Sequence, residues 1–308
     1  MTNKIVAIQG NNPSKLNPVT DTSVFLAHEI QNKNYKIFYY DPKDLSIINS
    51  KVIAAGFFIE FNYKNKKFFK ILKKQQLDLT KCKFILIRQD PPFNLEYISA
   101  TYILDSIKDK VQILNNPTSI RNVSEKLYSV KFQKYMPNTI FTQNIDEIKN
   151  FFKKHKKVIL KPIHSYSGND IHLLTSFNFK LIKKFIKQHD HIMCQKFIPK
   201  ISKGDKRVFL INGKVCGAIS RVPKKGSFLS NMSKGAKPIN IKLTKIENKI
   251  SKLIAKDLKK QNIFFAGIDF IDQKLNGDIN VTSPTGLKTL YDLSGINLAK
   301  TFWRELKA

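Results

Sequence analysis

The sequence predicts an α/β domain followed by two α+β lobes, and three observations support this fold class. The chain has 308 residues, which is enough for two or three structural units. Its composition, 42% hydrophobic and 11% aromatic, is that of a folded globular protein. Apolar runs of strand length alternate with helical patterns, first as β-α-β and later around hairpins. We therefore predict three units: residues 1–121, 122–203 and 204–308.

The first unit opens with a β-α-β pattern. Asp21 precedes one apolar helical pattern and Asn94 precedes another, so both residues are predicted N-caps. The predicted strands are the apolar runs 4–9, 36–40, 51–63 with 66–72 as a hairpin, 84–88 and 111–114. Asn115-Asn-Pro117 then marks a turn out of this unit.

The second unit has a strand and helix pattern of its own. A helix is predicted at 124–132, and a second one presents Ile145, Ile148 and Phe152 on one face. Strand 157–162, helix 177–188 and strand 192–198 complete a small α+β lobe.

The third unit begins with a hairpin. Asn212-Gly213 is a strong two-residue turn signal between strands 207–211 and 214–222. Residues 223–238 show no periodicity and are too many for a simple turn, so we expect a mobile lid there. A helix at 244–261, strands at 264–271 and 278–281, and a last helix ending at Trp303 are predicted after the lid.

The charge of the chain raises the question of an anionic partner. Lys and Arg number 54 against 23 Asp and Glu, for a net charge of +31. Only five of the 54 are arginines, whereas nucleic-acid readers depend on arginine for bidentate contacts. We therefore expect small anionic substrates and not nucleic acid. We also expect no membrane partner, because no run approaches the roughly 18 apolar residues of a membrane span.

The cysteines indicate the compartment. Cys82, Cys194 and Cys216 form no C-x-x-C pair, and an odd number without a secretion signal points to a reducing cytoplasm. Their apolar neighbours favour a role as core residues.

Three oxygen-bearing side chains suggest a metal site. Asp278 and Asn280 lie two apart on a predicted strand and so project from one face, while Asp269 lies within an apolar strand. Mg²⁺ takes one or two carboxylates together with phosphate oxygens and water. The alternative from these residues alone is a strand end with solvated polar side chains.

Cationic side chains supply candidates for phosphate binding. Lys161 ends a buried strand beside the small-residue loop of Ser165, Ser167 and Gly168, whose backbone amides can cradle phosphates. Arg88, Arg207 and Arg221 stand at strand ends, where planar bidentate recognition is something lysine cannot replace. Each arginine, and Lys126 on its helix, also admits an ordinary surface role.

Ordered motifs over nearly the whole chain resemble bacterial glutathione synthetase, of the ATP-grasp fold. The specific ones are an Asp-Pro-Pro-Phe run and an Asn-Val-Thr-Ser-Pro-Thr run. The motifs that carry the resemblance are Arg88-Gln-Asp-Pro-Pro-Phe-Asn94, Ala100-Thr-Tyr-Ile-Leu104, Asn116-Pro117, Glu125-Lys-Leu127, Ile159-Leu-Lys-Pro162, Lys203-Gly-Asp-Lys-Arg207, Gly267-Ile-Asp269 and Ile279-Asn-Val-Thr-Ser-Pro-Thr285.

This resemblance implies a reaction: ATP phosphorylates the cysteinyl carboxylate of γ-glutamylcysteine, and the amine of glycine attacks the acyl phosphate. It also implies Mg²⁺, with Mn²⁺ as an alternative ion, and a homotetramer. The implied ATP-binding residues are Lys126, Lys161, Ser165, Ser167, Gly168, Gln195, Lys196, Phe197, Ile198 and Asp205. The implied metal ligands are Asp269, Asp278 and Asn280, the implied catalytic residues are Arg207 and Arg221, and the implied substrate-binding residues are Arg88, Asn231, Ser283 and Thr285.

The chain departs from the pattern of that family at three places. Two glycines of the phosphate loop are serines here, in Ser165 to Gly168. The usual Glu of the metal strand is Asp278, with Gly277 lengthening the preceding turn, and a shorter carboxylate on a longer loop can still reach the ion. In the lid, Ser227 and Leu229 replace a Glu and an Arg, which raises the question of turnover rate or acceptor choice.

Two alternatives to glutathione synthesis therefore remain open. One is an ATP-grasp ligase for a different peptide or amino-acid acceptor, motivated by the altered lid. The other is a non-catalytic nucleotide-binding or nucleic-acid-binding relative, motivated by the basic surface.

Overall fold

The computed structural model describes residues 4–308 and confirms the mixed α/β and α+β class. The N-terminal domain is one seven-stranded sheet with helices on its faces. Its strands are β1 (Ile5–Gln9), β2 (Lys36–Tyr40), β3 (Leu45–Ile48), β4 (Lys51–Phe61), β5 (Phe69–Asp78), β6 (Phe84–Ile87) and β7 (Gln112–Leu114). Its helices are α1 (Thr22–Gln31), α2 (Leu95–Asp105) and α3 (Pro117–Asn122).

The order of these strands brings polar loops to one edge of the sheet. β1 pairs in parallel with β2 and β6, and β6 pairs in parallel with β7, so their carboxyl ends point the same way. Asp21 and Asn94 cap α1 and α2 there, as predicted, by accepting hydrogen bonds from Val24 N and Tyr97 N. On the other side β4 is antiparallel to β2 and β3, and β5 pairs with β4 alone as an edge strand.

Lobe A is a four-stranded antiparallel sheet covered by two helices. Its elements are β8 (Thr139–Thr142), α4 (Ile145–His155), β9 (Val158–Pro162), β10 (His172–Leu174), α5 (Phe179–His189) and β11 (Ile192–Lys196). The helix predicted at 124–132 is a kinked 3-10 segment at Leu127–Tyr135. The backbone N–H and the hydroxyl of Ser129 both donate to the carbonyl of Lys126, which ties that carbonyl to the i+3 residue.

Lobe B is a five-stranded antiparallel sheet with three helices. Its elements are β12 (Asp205–Ile211), β13 (Lys214–Val222), β14 (Lys237–Asn240), α6 (Lys245–Lys260), β15 (Phe265–Ile271), β16 (Lys274–Asn280), α7 (Leu287–Ser294) and α8 (Leu298–Glu305). The Asn212-Gly213 turn is present, with both residues at positive φ. The predicted last helix is two helices, because Gly295 at φ +73° ends α7.

Four clusters of buried hydrophobic residues hold the described part of the chain together. Residues of the N-terminal sheet and α1 share a core with lobe B: Val6 and Leu26 cluster with Phe209 and Trp303, whose indole donates to the carbonyl of Leu26 at 2.9 Å. Lobe A has a cluster of its own, but its Met193 lies in the core of lobe B with Ile268 and Ile279. Within residues 4–308, no helix is long and apolar enough to cross a membrane.

Candidate active site

Two adjoining cavities lie where the three units meet. The lobe cavity lies between lobes A and B, and the domain cavity, of about 490 Å³, opens between lobe B and the N-terminal domain. Six residues line both of them: Glu125, Ser167, Arg207, Arg221, Asn231 and Asn280.

A buried cluster of four charges forms the wall between the cavities. Arg207 lies opposite Asp269 across β12 and β15, and donates from Nε to Oδ1 at 2.5 Å and from a terminal nitrogen to Oδ2 at 2.8 Å. Arg221 reaches Asp269 at 3.0 Å and also binds Asp205, its cross-strand partner on β12. All four side chains are buried, so each charge depends on the others for compensation.

The ionisation of this cluster follows from its pairing. Burial alone would raise the pKa of Asp269, but Arg207 and Arg221 hold that pKa well below its usual range. Burial raises the pKa of Asp205, with Arg221 opposing the change. The two arginines therefore keep Asp269 ionised at the boundary between the cavities.

A second group of charges surrounds Asp278. The carboxylate lies 3.6 Å from Lys126 Nζ and 3.5 Å from Lys161 Nζ, and both lysines are buried. Burial lowers the pKa of Lys161 despite the nearby Asp278. The paired register of β15 and β16 breaks between Ile268 and Phe270, so Asp278 lies on a bulge and not on a regular strand.

The small-residue loop after β9 is tied to the same lysine. Lys126 Nζ donates to the carbonyl of Ser165 at 2.8 Å, and Ser165 Oγ donates to the carbonyl of Asn169 at 2.9 Å. Gly168 has φ +72°, and a Cβ at that position would overlap the side-chain amide of Asn231. The loop after β9 and the segment after β13 therefore touch across the lobe cavity.

The residues of the predicted metal site are oxygen donors on one cavity wall. No group of three His, Cys, Asp or Glu side chains that could hold a metal occurs in residues 4–308. Asp269, Asp278 and Asn280 instead offer two carboxylates and one amide on one cavity wall, and the Asn280 amide nitrogen lies 3.4 Å from Asp269 Oδ2. Hard oxygen donors in this number fit Mg²⁺ that is also held by phosphate oxygens.

The structure brings nearly all the predicted site residues to the two cavities. The ten residues predicted to bind ATP line the lobe cavity, together with the three predicted metal ligands. Ser283 and Thr285 line the domain cavity. Arg88 lines neither: it is buried behind the wall, where it donates to Ser23 Oγ at 3.0 Å and to the carbonyl of Pro284 at 3.1 Å.

The segment predicted to be a lid faces both cavities. Phe228, Leu229 and Ser230 line the lobe cavity, whereas Met232 and Ser233 line the domain cavity. The end of the segment is ordered as β14, which pairs with β13. Leu229 therefore stands at the nucleotide end of the predicted site, away from the end predicted for the peptide substrate.

Sequence reasoning gave no role to three residues that the structure brings into the site. Glu125 accepts hydrogen bonds from Val281 N, Thr282 N and Thr282 Oγ1, and so anchors the strand end beside Asn280. Asn276 contacts both Lys161 and Asp278, and Tyr166 lines the domain cavity. Glu125 stood in a recognised motif, but no sequence signal marked Asn276 or Tyr166.

The cysteines lie away from this site. Cys82 and Cys194 are buried, and burial raises the pKa of each thiol to about 12. Cys216 is half-buried, and burial also raises its pKa. Among the histidines, His189 lies with its Nε2 3.7 Å from Asp170 Oδ2. The described residues place no third metal-binding side chain beside this pair.

Comparison with known proteins identifies the family of both halves of the chain. Residues 5–121 match the model of the prokaryotic glutathione synthetase N-terminal domain, and residues 125–295 match that of the prokaryotic glutathione synthetase ATP-grasp domain. The glutathione synthetase of Bradyrhizobium diazoefficiens is 33% identical over 302 residues, covering 97% of this chain and 96% of the relative. That of Buchnera aphidicola subsp. Baizongia pistaciae is 36% identical over 293 residues, covering 93% and 90%.

Solved structures extend the comparison to the fold. D-cycloserine synthetase DcsG superposes with a TM-score of 0.65 at 9% identity, covering 98% of this chain and 99% of that one. D-alanyl-alanine synthetase A from Vibrio cholerae superposes with a TM-score of 0.61 at 14% identity, covering 100% of both chains. The cavity between two α+β lobes, the N-terminal sheet and the matched family models lead to one conclusion: the chain belongs to the prokaryotic glutathione synthetase family, with an ATP-grasp fold.

Proposed function

We propose that this chain is an ATP-dependent ligase that joins γ-glutamylcysteine to glycine and releases ADP and phosphate. Its family membership supports the activity, and the four-charge cluster of Arg207, Arg221, Asp205 and Asp269 is the observation that carries it. The cluster stands where a cavity suited to ATP meets a cavity suited to a peptide. Two anions must meet there, and their charge must be neutralised, for a phosphoryl group to pass to a carboxylate.

The lobe cavity would hold ATP. Lys126 and Lys161, with the loop of Ser165, Ser167 and Gly168, would bind the phosphates. The segment Gln195 to Ile198 would lie along the adenine, and Asp205, which also lines this cavity, would be a further contact to ATP. Lys126 and Lys161 suit this role because two buried ammonium groups share the single carboxylate of Asp278. A bound phosphate would supply the negative charge that they lack.

The reaction has two steps, phosphoryl transfer and amide formation. A carboxylate oxygen of the cysteinyl residue attacks the γ-phosphorus, forming a new P–O bond while the bond to the β,γ-bridging oxygen breaks and ADP leaves. The glycine amine attacks the resulting carbonyl carbon, forming the C–N bond. The C–O bond to phosphate breaks, and the proton of the amine passes to the departing phosphate.

A divalent cation would act at the phosphate end. Asp269, Asp278 and Asn280 would hold Mg²⁺, or Mn²⁺ as an alternative, and the ion would neutralise charge on the transferring group. Arg207 and Arg221, which also bond Asp269, would stabilise the negative charge of the acyl phosphate and of the tetrahedral intermediate.

The domain cavity would hold the dipeptide and glycine. Asn231, Ser283 and Thr285 would contact these substrates. Arg88 would act through the loop that it holds, since it donates to Pro284 O and its own carbonyl accepts from Ser283 Oγ at 3.3 Å. The segment 223–238 would exclude water, which would otherwise hydrolyse the acyl phosphate.

ADP release with Mg²⁺ and ATP tests this function. We expect release only when γ-glutamylcysteine and glycine are supplied together, and we expect Asp278→Ala to abolish it. Asp109→Ala, which removes an exposed carboxylate far from the cavities, is the matched control. ADP release that is independent of either substrate would contradict the proposal.

A different acceptor is the second candidate, because the lid also lines the cavity proposed for the peptide and the amine. Asn231, Met232 and Ser233 are the lid residues that line the domain cavity, so they would set acceptor choice. The altered Leu229 lines the lobe cavity. If the second candidate is right, an acceptor screen finds an amine other than glycine that supports faster ADP release with γ-glutamylcysteine.

A further inference from the structure

Asn276 touches both charged groups of the phosphate end. Lys161 Nζ donates to its main-chain carbonyl at 2.9 Å and to its Oδ1 at 3.0 Å. Its own Nδ2 donates to Asp278 Oδ2 at 3.2 Å. The oxygen of one amide thus faces an ammonium while its nitrogen faces a carboxylate, an arrangement that satisfies all three groups.

A bulge in β16 allows Asn276 to make these contacts. Ile279 pairs with Ile268 and Leu275 pairs with Phe270, so three residues, Asn276 to Asp278, face Asp269 alone. Gly277 takes φ +88°, and a Cβ there would overlap the methyl group of Met193. The segment does not pair regularly with β15, and the side chains of Asn276 and Asp278 both line the lobe cavity.

The two partners of Asn276 depend on its side chain to different degrees. Lys161 keeps the main-chain carbonyl of residue 276 whatever side chain is present. Asp278 has contacts with Lys126 at 3.6 Å and Lys161 at 3.5 Å, both longer than its 3.2 Å bond from the Asn276 amide. Loss of the amide therefore affects the carboxylate more than the ammonium.

We infer that Asn276 is a positioning residue for this reaction, which orients the Asp278 carboxylate so that it can hold a divalent cation beside the nucleotide. The inference rests on the proposed function. Residues that orient metal-ligating carboxylates typically contribute about 10-fold to 100-fold in metal affinity.

The test is calorimetric titration of ADP with Mg²⁺ and with EDTA, using wild type, Asn276→Ala and Asn276→Leu. The leucine variant fills the space without an amide and so separates positioning from packing. We expect both variants to lose about 10-fold or more of the gain in ADP affinity that Mg²⁺ provides. ADP affinity in EDTA should be unchanged, because Lys161 retains its main-chain acceptor.

Asn150→Ala is the matched control, because Asn150 is exposed on α4, away from both cavities. Thermal melting of each variant shows that it is folded. The inference is overturned if Mg²⁺ raises the affinity for ADP equally in wild type and in both variants. It is also overturned if the variants lose the same ADP affinity with Mg²⁺ as without it. If wild type itself gains nothing from Mg²⁺, the proposed metal site fails, which is a separate result.

Discussion

Arg221 shows how much a single side chain contributes to this site. It joins Asp205 to Asp269, and all three side chains are buried. Buried charges are tolerated only while they remain paired, because each would otherwise lose its hydration without compensation. The residue thus has a structural role that is present before any substrate binds.

Replacing Arg221 should destabilise the fold as well as the activity. In Arg221→Met, Asp205 loses its guanidinium partner, and we expect the free energy of unfolding to fall by about 3–5 kcal/mol. Urea unfolding measures the change. Arg304→Met removes an exposed arginine from α8 and should change little, so equal losses in the two variants would contradict the role of burial.

Sequence reasoning predicted the residue types of the site better than their contacts. Most charged residues of the motifs line one of the two cavities, because the order of the motifs along an ATP-grasp chain determines their placement; Arg88, Lys203 and Lys206 do not. Asn276 could not be predicted, since its role depends on a bulge and on a lysine that is 115 positions away. The buried position of Arg88 outside both cavities likewise depends on how the loop at Pro284 packs, which no local sequence pattern records.

Among the elements, the bulge in β16 depends most on one residue type. Gly277 needs both a positive φ and the absence of a Cβ, because Met193 and Met136 of neighbouring segments pack against it. Glycine meets both conditions, whereas other residues at such a φ are strained.

Gly277→Ala should therefore cost more stability than the same change at an open position. Gly226→Ala is the matched control, since Gly226 has φ +82° and an added methyl group would meet nothing within 4 Å. We expect about 1 kcal/mol of destabilisation at Gly226 and about 2–4 kcal/mol at Gly277. Thermal unfolding compares the two, and similar values would show that the methionines yield without cost.

The junction of α2 and α3 makes the molecule sensitive to acid. Burial would raise the pKa of Asp105, but hydrogen bonds from Thr118, Arg121 and Lys108 hold it below its usual value. Folded Asp105 therefore binds a proton less readily than unfolded Asp105. Its contribution to stability is present above about pH 4 and is lost as the pH falls through the lower, folded pKa.

Asp105→Asn should accordingly be less stable than wild type at pH 6, by about 1 kcal/mol. The difference should shrink as the pH falls below about 4. Melting temperatures between pH 3 and pH 7 measure this, with Asp109→Asn as an exposed control. A difference that stays constant with pH would argue against the ion pair with Arg121.

The elements themselves were predicted unevenly, for physical reasons. Strands with long apolar runs, such as β9 and β15, were predicted because both of their faces are buried. β8 was missed, since only its first residue is buried and its pattern is weak. The division between α7 and α8 was also missed, because a glycine in a helical pattern signals a break only when its φ is known.

At the scale of the whole molecule, the arginines and lysines are distributed differently. Arg88, Arg207 and Arg221 are buried, so the outer surface carries its positive charge almost entirely on lysine. Lysine provides unspecific attraction to phosphates without the planar recognition of bases. The large net charge therefore favours weak attraction to any polyanion.

Binding to DNA should consequently vanish with salt. We expect the affinity for a duplex to fall by about 100-fold or more between 50 and 200 mM salt, without preference for sequence. Fluorescence anisotropy with two unrelated duplexes measures both properties. Tight binding that persists at the higher salt would instead support the nucleic-acid-binding alternative.

The three units are joined unequally. The N-terminal domain and lobe B share one hydrophobic core, whereas lobe A has a cluster of its own and meets lobe B in another, where Met193 packs with Ile268 and Ile279. The predicted division of the chain at residue 121 falls within α3 and gives no hint of that shared core. The homotetramer suggested by the resemblance stays a prediction, and light scattering is the measurement for it.

The edge strand β5 has a consequence for the behaviour of the chain in a crowded solution. A ten-residue strand that pairs on one side only, with Ile71 and Leu72 exposed, is a template for amyloid-like stacking. Lys70, Lys73 and Lys74 lie exposed on the same strand. A second copy added to that edge would set lysine rows against each other. The exposed lysines of β5 are therefore gatekeeper charges, which oppose the pairing of two copies at this edge.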